Sequence, residues 1–205
     1  MTWTRSLLAV CLLATLAACG PTTKLTAVWV TETPKQFENV MILAIDASPG
    51  GRRKYEDRFV EELEDRRTKA IQSYMVLPLD GKLEEDDLRA AVAQGGYDAV
   101  IATRLLAIDQ DQVYVPPTEY VTAGPRYGGL YGYYGAGYAV RTTPGYIKTN
   151  TTVRLETHIY DAQTEKLIWA GHSDTFDPAT PDAAIESVVS LIAIRLERDR
   201  LIPKK

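Results

Sequence analysis

Few side chains of this protein are typed and spaced for chemistry, and they fall in three places. Its two cysteines, Cys11 and Cys19, lie within the first twenty residues, and its two histidines, His158 and His172, lie in the last third. Between them, Asp46-Ala47-Ser48-Pro49-Gly50-Gly51-Arg52-Arg53-Lys54 follows an apolar run and opens an amphipathic one. In open α/β sheets ligands bind outside the carboxyl ends of strands, and helix starts favour anions. Gly50, Gly51, Arg52 and Arg53 are therefore candidates for cradling a phosphate or carboxylate of a small ligand, as a binding protein or a cryptic enzyme would. The segment has neither P-loop spacing nor a GxGxxG pattern, and a turn leading into a solvated first helical turn accounts for it as well. No serine sits in a nucleophile elbow, and there is no HExxH. Glu84-Glu85-Asp86-Asp87 reads as acids complementing a helix start. The two histidines, on opposite strands and displaced from direct pairing, argue against a shared metal site. The expectation is a protein that is not an enzyme and holds no metal or cofactor.

The amino terminus carries the most specific signal. Arg5 precedes an apolar run from Leu7 to Leu16, followed by small residues, as in a secretory signal. A membrane span needs about 20 apolar residues, and this run is shorter. Leu16-Ala17-Ala18-Cys19 resembles the lipobox of bacterial lipoproteins. That resemblance implies that 1–18 is a signal peptide, that Cys19 is lipidated through a thioether, and that the new amino terminus is acylated. Each buried methylene contributes about 0.8 kcal/mol and two or more chains anchor stably, so the membrane is an expected partner through the lipid on Cys19. Gly20 stands where the enterobacterial inner-membrane retention signal places an aspartate, which favours the outer membrane, facing the periplasm. Cys11 leaves with the signal, so no thiol remains for a disulfide, a nucleophile or a metal.

Charge narrows the partners further. The formal net charge is −4, with both signs dispersed and no basic block, so nucleic acid is not an expected partner.

The elements that must position these residues follow from hydrophobic periodicity. Residues 19–37 read as a lipidated tether with a possible edge strand over 25–30, and 38–205 as a single α/β domain. The continuous apolar run 39–46 predicts a strand buried on both faces. Tyr55, Phe59 and Leu63, spaced by four, predict an amphipathic helix over 52–71. A second strand is predicted at 73–79, a short acidic helix ending at Gly95-Gly96, and a third strand over 98–108. Strand, helix, strand, helix, strand is the pattern of two right-handed βαβ crossovers. The runs 149–160 and 166–176 are joined by five residues, which predicts an antiparallel hairpin. Thr180-Pro181-Asp182 supplies a helix start for the stripe Ile185, Val188, Val189, Ile192 and Leu196. The expected fold is a mixed α/β sandwich whose parallel βαβαβ half is extended by the hairpin, closed by the amphipathic C-terminal helix.

A tyrosine–glycine insert interrupts this pattern at about 109–148. Residues 124–146 hold seven of the fourteen glycines and six of the twelve tyrosines. Glycine makes ordering costly, while each tyrosine offers an apolar ring and a hydrogen-bonding tip. Tyr127, Tyr131, Tyr133, Tyr134 and Tyr138 are candidates for contacting an envelope protein or a glycan. A solvated low-complexity insert, or tyrosines packed on the domain, fits the composition equally.

The mature chain resembles a group of proteobacterial outer-membrane-type lipoproteins to which no enzymatic activity is assigned. The residues that carry this are Asn39–Ile45, Arg52-Arg53-Lys54-Tyr55-Glu56-Asp57, Tyr97-Asp98-Ala99-Val100, Tyr131-Gly132-Tyr133-Tyr134-Gly135 and Lys166-Leu167-Ile168-Trp169. The likeness implies an envelope lipoprotein and carries no functional residues across. At the level of fold, the α/β pattern also looks like the amino-terminal domain of TolB and the periplasmic part of CsgG.

Overall fold

The computed structural model describes residues 22–45, 48–79, 83–121 and 140–205. In chain order the elements are β1 (Thr22–Val30), β2 (Asn39–Ile45), α1 (Pro49–Glu64), β3 (Lys69–Gln72), α2 (Glu85–Gly95), β4 (Ala99–Val115), β5 (Thr118–Val121), β6 (Val140–Thr143), β7 (Tyr146–Asp161), β8 (Leu167–Phe176) and α3 (Pro181–Arg198). Six strands form one mixed sheet in the order β1-β8-β7-β4-β2-β3. β2 is buried from Val40 to Ala44 and runs parallel to both its neighbours, β3 and β4. The first crossover therefore steps outward from β2 and the second steps back past it. With both connections right-handed, the two helices fall on opposite faces of the sheet. Phe59 and Leu63 of α1 accordingly pack with Val40, Ile42 and Ile101, while Leu88 and Val92 of α2 pack with Met41, Leu43 and Val100. α3 joins α1 on the first face through Val188, Val189, Ile192 and Leu196. Among the described residues, no helix is long and apolar enough to cross a membrane.

The hairpin and the edge strand fall where the sequence puts them. β7 and β8 pair antiparallel, and β1 closes the sheet antiparallel to β8. The α3 start is capped by Thr180, whose Oγ1 accepts from the Ala183 N–H at 3.1 Å, with Pro181 in the first turn.

Two elements differ from expectation. The first helix ends at Glu64 rather than running to 71, and the next strand is Lys69–Gln72 rather than 73–79. Arg67 takes a left-handed φ of 62°, which stops the helix and turns the chain back to the sheet. Lys69-Ala70-Ile71-Gln72 does not alternate apolar with polar residues, so it carries no period of two. Ser73–Met75 forms a 3-10 turn because Ser73 Oγ is drawn inward, donating to Glu56 Oε1 at 2.7 Å. Met75 and Val76, read as strand residues, are exposed.

The chain divides into two compact units. One runs to Ile108 and resumes from Thr152 to Lys205; the other is Asp109–Thr151. The second unit nearly coincides with the insert foreseen over 109–148, but its described residues are strands. β4 and β7 continue into it, and β5 pairs with β6 antiparallel from Thr118 opposite Thr143.

A polar ladder crosses the larger core. Tyr55 Oη donates to Thr103 Oγ1 at 3.0 Å, and Thr103 Oγ1 lies 2.9 Å from Thr157 Oγ1, tying α1 to β4 and β7. Burial pushes the Tyr55 phenol up from 10.0 to about 12, against the opposing bonds from the threonines. The unfolded chain releases this proton near pH 10 and the folded chain does not. The contribution is thus complete below pH 10 and lost as pH rises through about 12. It amounts to about 3 kcal/mol, at about 1.4 kcal/mol per pKa unit. Urea denaturation at pH 9 and pH 12 should show a larger loss of stability for the wild type than for Tyr55→Phe. Equal losses would remove Tyr55 as the alkaline-sensitive group.

Candidate functional site

The loop at the start of α1 spends its charges internally. Ser48 caps the helix, its Oγ accepting from the Gly51 N–H at 3.2 Å. Arg52 points into the protein: Nε donates to Glu56 Oε1 at 3.0 Å, one terminal nitrogen to the Pro78 carbonyl at 2.7 Å, and the other to Ser73 Oγ at 2.8 Å. Arg53 lies over the Tyr74 ring, 5.2 Å from its centroid, and Lys54 donates to Asp182 Oδ1 at 2.7 Å. The Tyr74 hydroxyl in turn donates to Asp57, and that bond raises its pKa. The run of three cations thus fastens α1 to its neighbours, and the buried Arg52 spends four of its five N–H donors inside the protein. Gly50 and Gly51 lie in the first turn of α1, Gly50 with open space where a side chain would stand. Asp46 and Ala47 lie outside the described residues, as do Cys19 and the candidate tyrosines Tyr127, Tyr131, Tyr133, Tyr134 and Tyr138.

A different set of polar side chains converges on the sheet face that carries α2. Strand alternation places Glu156, His158 and Tyr160 of β7 on that face, with Arg104 of β4 on one side and His172 of β8 on the other. Glu156 is their hub. Arg104 Nε donates to Glu156 Oε2 at 2.6 Å, His172 Nε2 stands 3.0 Å from Oε1, and His158 Nε2 stands 3.5 Å from the same atom. His158 Nδ1 is 3.1 Å from the Tyr160 hydroxyl. Burial works to raise the Glu156 carboxyl, but the bonds from Arg104 and His172 and the nearby His158 outweigh it and hold its pKa below the ordinary value.

The histidines are displaced in register, His172 opposite Glu156 and His158 opposite Ala170, as the sequence indicated. They still meet at one carboxylate, because Glu156 has His172 directly opposite it and His158 two residues along its own strand, on the same face. Among the described residues, no group of three metal-ligating side chains is placed to hold an ion. Glu156 and Arg104 were missed by sequence reasoning. The legible signal was the period of two in Glu156, His158 and Tyr160, polar or amphipathic at each step of an otherwise half-apolar strand. Trp169 is fully buried, its Nε1 donating to Asp199 Oδ2 at 3.0 Å. Tyr160 lines the open face.

Beside this cluster, α2 roofs an apolar cavity of about 440 Å3. Leu43, Val100 and Ala102 form its floor, and Leu88, Val92 and Ala93 its roof. Ile45, Ala102 and Tyr160 line both this cavity and a depression of about 330 Å3 that holds Arg104, Glu156 and His158.

No family model matches this chain, and no curated protein matches its sequence. Among solved structures, the fold is similar to the PelC dodecamer from Paraburkholderia phytofirmans, with a TM-score of 0.46 and 9% identity over 90% of this chain and 99% of that one. It is also similar to lipoprotein GNA1162 from Neisseria meningitidis, with a TM-score of 0.43 and 11% identity over 78% of this chain and 98% of that one. A PDZ domain protein from Parabacteroides distasonis gives a TM-score of 0.42 and 10% identity over 93% of this chain and 40% of that one. These likenesses lie in the path of the backbone and supply no functional residue.

Proposed function

We propose that this protein is a lipid-anchored component of the bacterial cell envelope, held at the outer membrane through Cys19, that binds a partner and catalyses no reaction. The lipobox-like Leu16-Ala17-Ala18-Cys19 supports the anchor. The single observation that carries the binding role is the apolar surface of the second unit. There Val113, Tyr114, Tyr120, Tyr146 and Ile147 are exposed, Tyr114 at 63% and Ile147 at 65%. Isolated exposed apolar residues are ordinary, but several on one small unit mark an interaction surface, and tyrosine is enriched at interfaces. A side chain at Gly145 would stand 2.5 Å from the Tyr114 hydroxyl, so the glycine leaves room for the ring beside the β6–β7 turn. The partner is an envelope protein or a glycan, both of which aromatic surfaces recognise.

The test is Tyr114→Ser with Tyr146→Ser and Ile147→Ser in one chain, crosslinked in the intact envelope and analysed by mass spectrometry beside retention on isolated envelope glycan. Loss of hot-spot rings costs about 2 kcal/mol or more, so the recurrent crosslink or the glycan retention should fall about thirtyfold. The thermal melt should move little, because exposed side chains contribute little to the core. Undiminished capture would overturn the role of this surface.

A further inference from the structure

We propose that the sheet face beneath α2 is a binding groove for a single-chain amphiphilic anion, an acyl chain ending in a carboxylate. This site lies wholly in the larger unit and stands independently of the partner surface on the second. Its apolar half is the cavity of about 440 Å3, within the roughly 300–1,000 Å3 of small-molecule sites. α2 lies over this space without filling it: α1 buries seven of its residues and α3 six, whereas α2 buries none. Leu43, Val100, Ala102, Leu88 and Val92 offer a chain apolar contacts on two sides.

The two ends of the groove differ in charge. At one rim Arg89 stands among three carboxylates, Glu85, Asp161 and Glu165. At the other, one carboxylate, Glu156, is met by Arg104, His172 and His158, with the Tyr160 hydroxyl beside them. An anionic head is repelled from the first rim and finds guanidinium, imidazole and phenol groups at the second. Ile45 and Ala102 run on beneath both halves, so a chain lying on the apolar floor brings its head to Arg104. A neutral chain would leave the polar end unused, and a cation would favour the acidic rim.

The test uses the full-length chain carrying Cys19→Ser, so that no attached acyl group competes, titrated with the fluorescent fatty acid cis-parinaric acid. Binding should saturate at one site and be displaced by palmitate, while hexadecanol, which has the chain without the carboxylate, should displace it at least about tenfold less well. Arg104→Gln should weaken binding by about the same factor with an unchanged melt. Ala102→Phe, which fills the shared floor, should abolish it. If that variant does not fold, Arg104→Gln and the hexadecanol comparison decide. The proposal is overturned by the absence of saturable binding, by equal displacement with palmitate and hexadecanol, or by wild-type affinity in Arg104→Gln. Displacement by phosphatidylglycerol vesicles as effective as by palmitate would also overturn it, since the groove would then be reading a lipid surface.

Discussion

Replacing Glu56 by alanine should lower the melting temperature by roughly 6–20 °C, at about 2–4 °C per kcal/mol for a chain of this size. Glu56 is fully buried, and its two oxygens accept four hydrogen bonds: from the Ala44 N–H at 3.0 Å, Arg52 Nε at 3.0 Å, Ser73 Oγ at 2.7 Å and the Tyr74 N–H at 3.1 Å. These bonds join β2, α1 and the turn after β3. Removing the carboxylate strands the Arg52 guanidinium, whose side chain is 9% exposed, without its counter-charge. Breaking a buried pair from one side costs about 3–5 kcal/mol, a large share of the roughly 5–15 kcal/mol that holds a domain together. Arg52→Met combined with Glu56→Leu should recover part of the loss, because neither partner is then left charged in the interior. Circular-dichroism melts of the three chains check this. A Glu56→Ala melt within 2 °C of wild type would mean that water or a neighbouring group replaces the carboxylate.

Replacing Cys19 by serine should abolish acyl labelling of the chain altogether. Of the two cysteines, Cys11 lies inside the apolar run and only Cys19 follows Leu16-Ala17-Ala18. A hydroxyl does not replace the thiolate as acceptor of the first lipid, so cleavage after Ala18 should fail with it and unprocessed precursor should accumulate. Without several acyl chains the protein has no anchor of the strength that about 0.8 kcal/mol per buried methylene provides. Metabolic labelling with an alkyne fatty acid, followed by fractionation, reads both effects. Undiminished labelling, or a mature-size band in the mutant, would sink the assignment of Cys19.

Much of the fold is legible in the sequence. Long apolar runs and clear periods gave β2, β4, the β7–β8 hairpin and α3, since burying one face imposes a repeat over many residues. β3 escaped because Lys69-Ala70-Ile71-Gln72 does not alternate apolar with polar residues, and because the stop before it depends on Arg67 taking a left-handed conformation rather than on a glycine. The candidate site was less legible for a related reason. Arg52, Arg53 and Lys54 have the composition of an anion cradle, but composition does not say which way a side chain points. Ser73 and the carbonyls of Pro78 and Leu79, some twenty to thirty residues later, decide that Arg52 faces inward.

By itself the sequence carried the expectation of an anchor at Cys19, the α/β class, the cap of α3 and the antiparallel hairpin, because each rests on residues that lie close together in the chain. The tertiary structure alone decided that Arg104, Glu156, His158 and His172 share one sheet face, since strand order sets which residues become neighbours and β4 lies beside β7 rather than beside a strand next to it in the sequence. It also decided the place of Gly171. A side chain there would stand 2.2 Å from the Trp169 indole. Whether position 171 tolerates a methyl group is a question of packing volume, which forms only when the sheet and α3 close on the tryptophan.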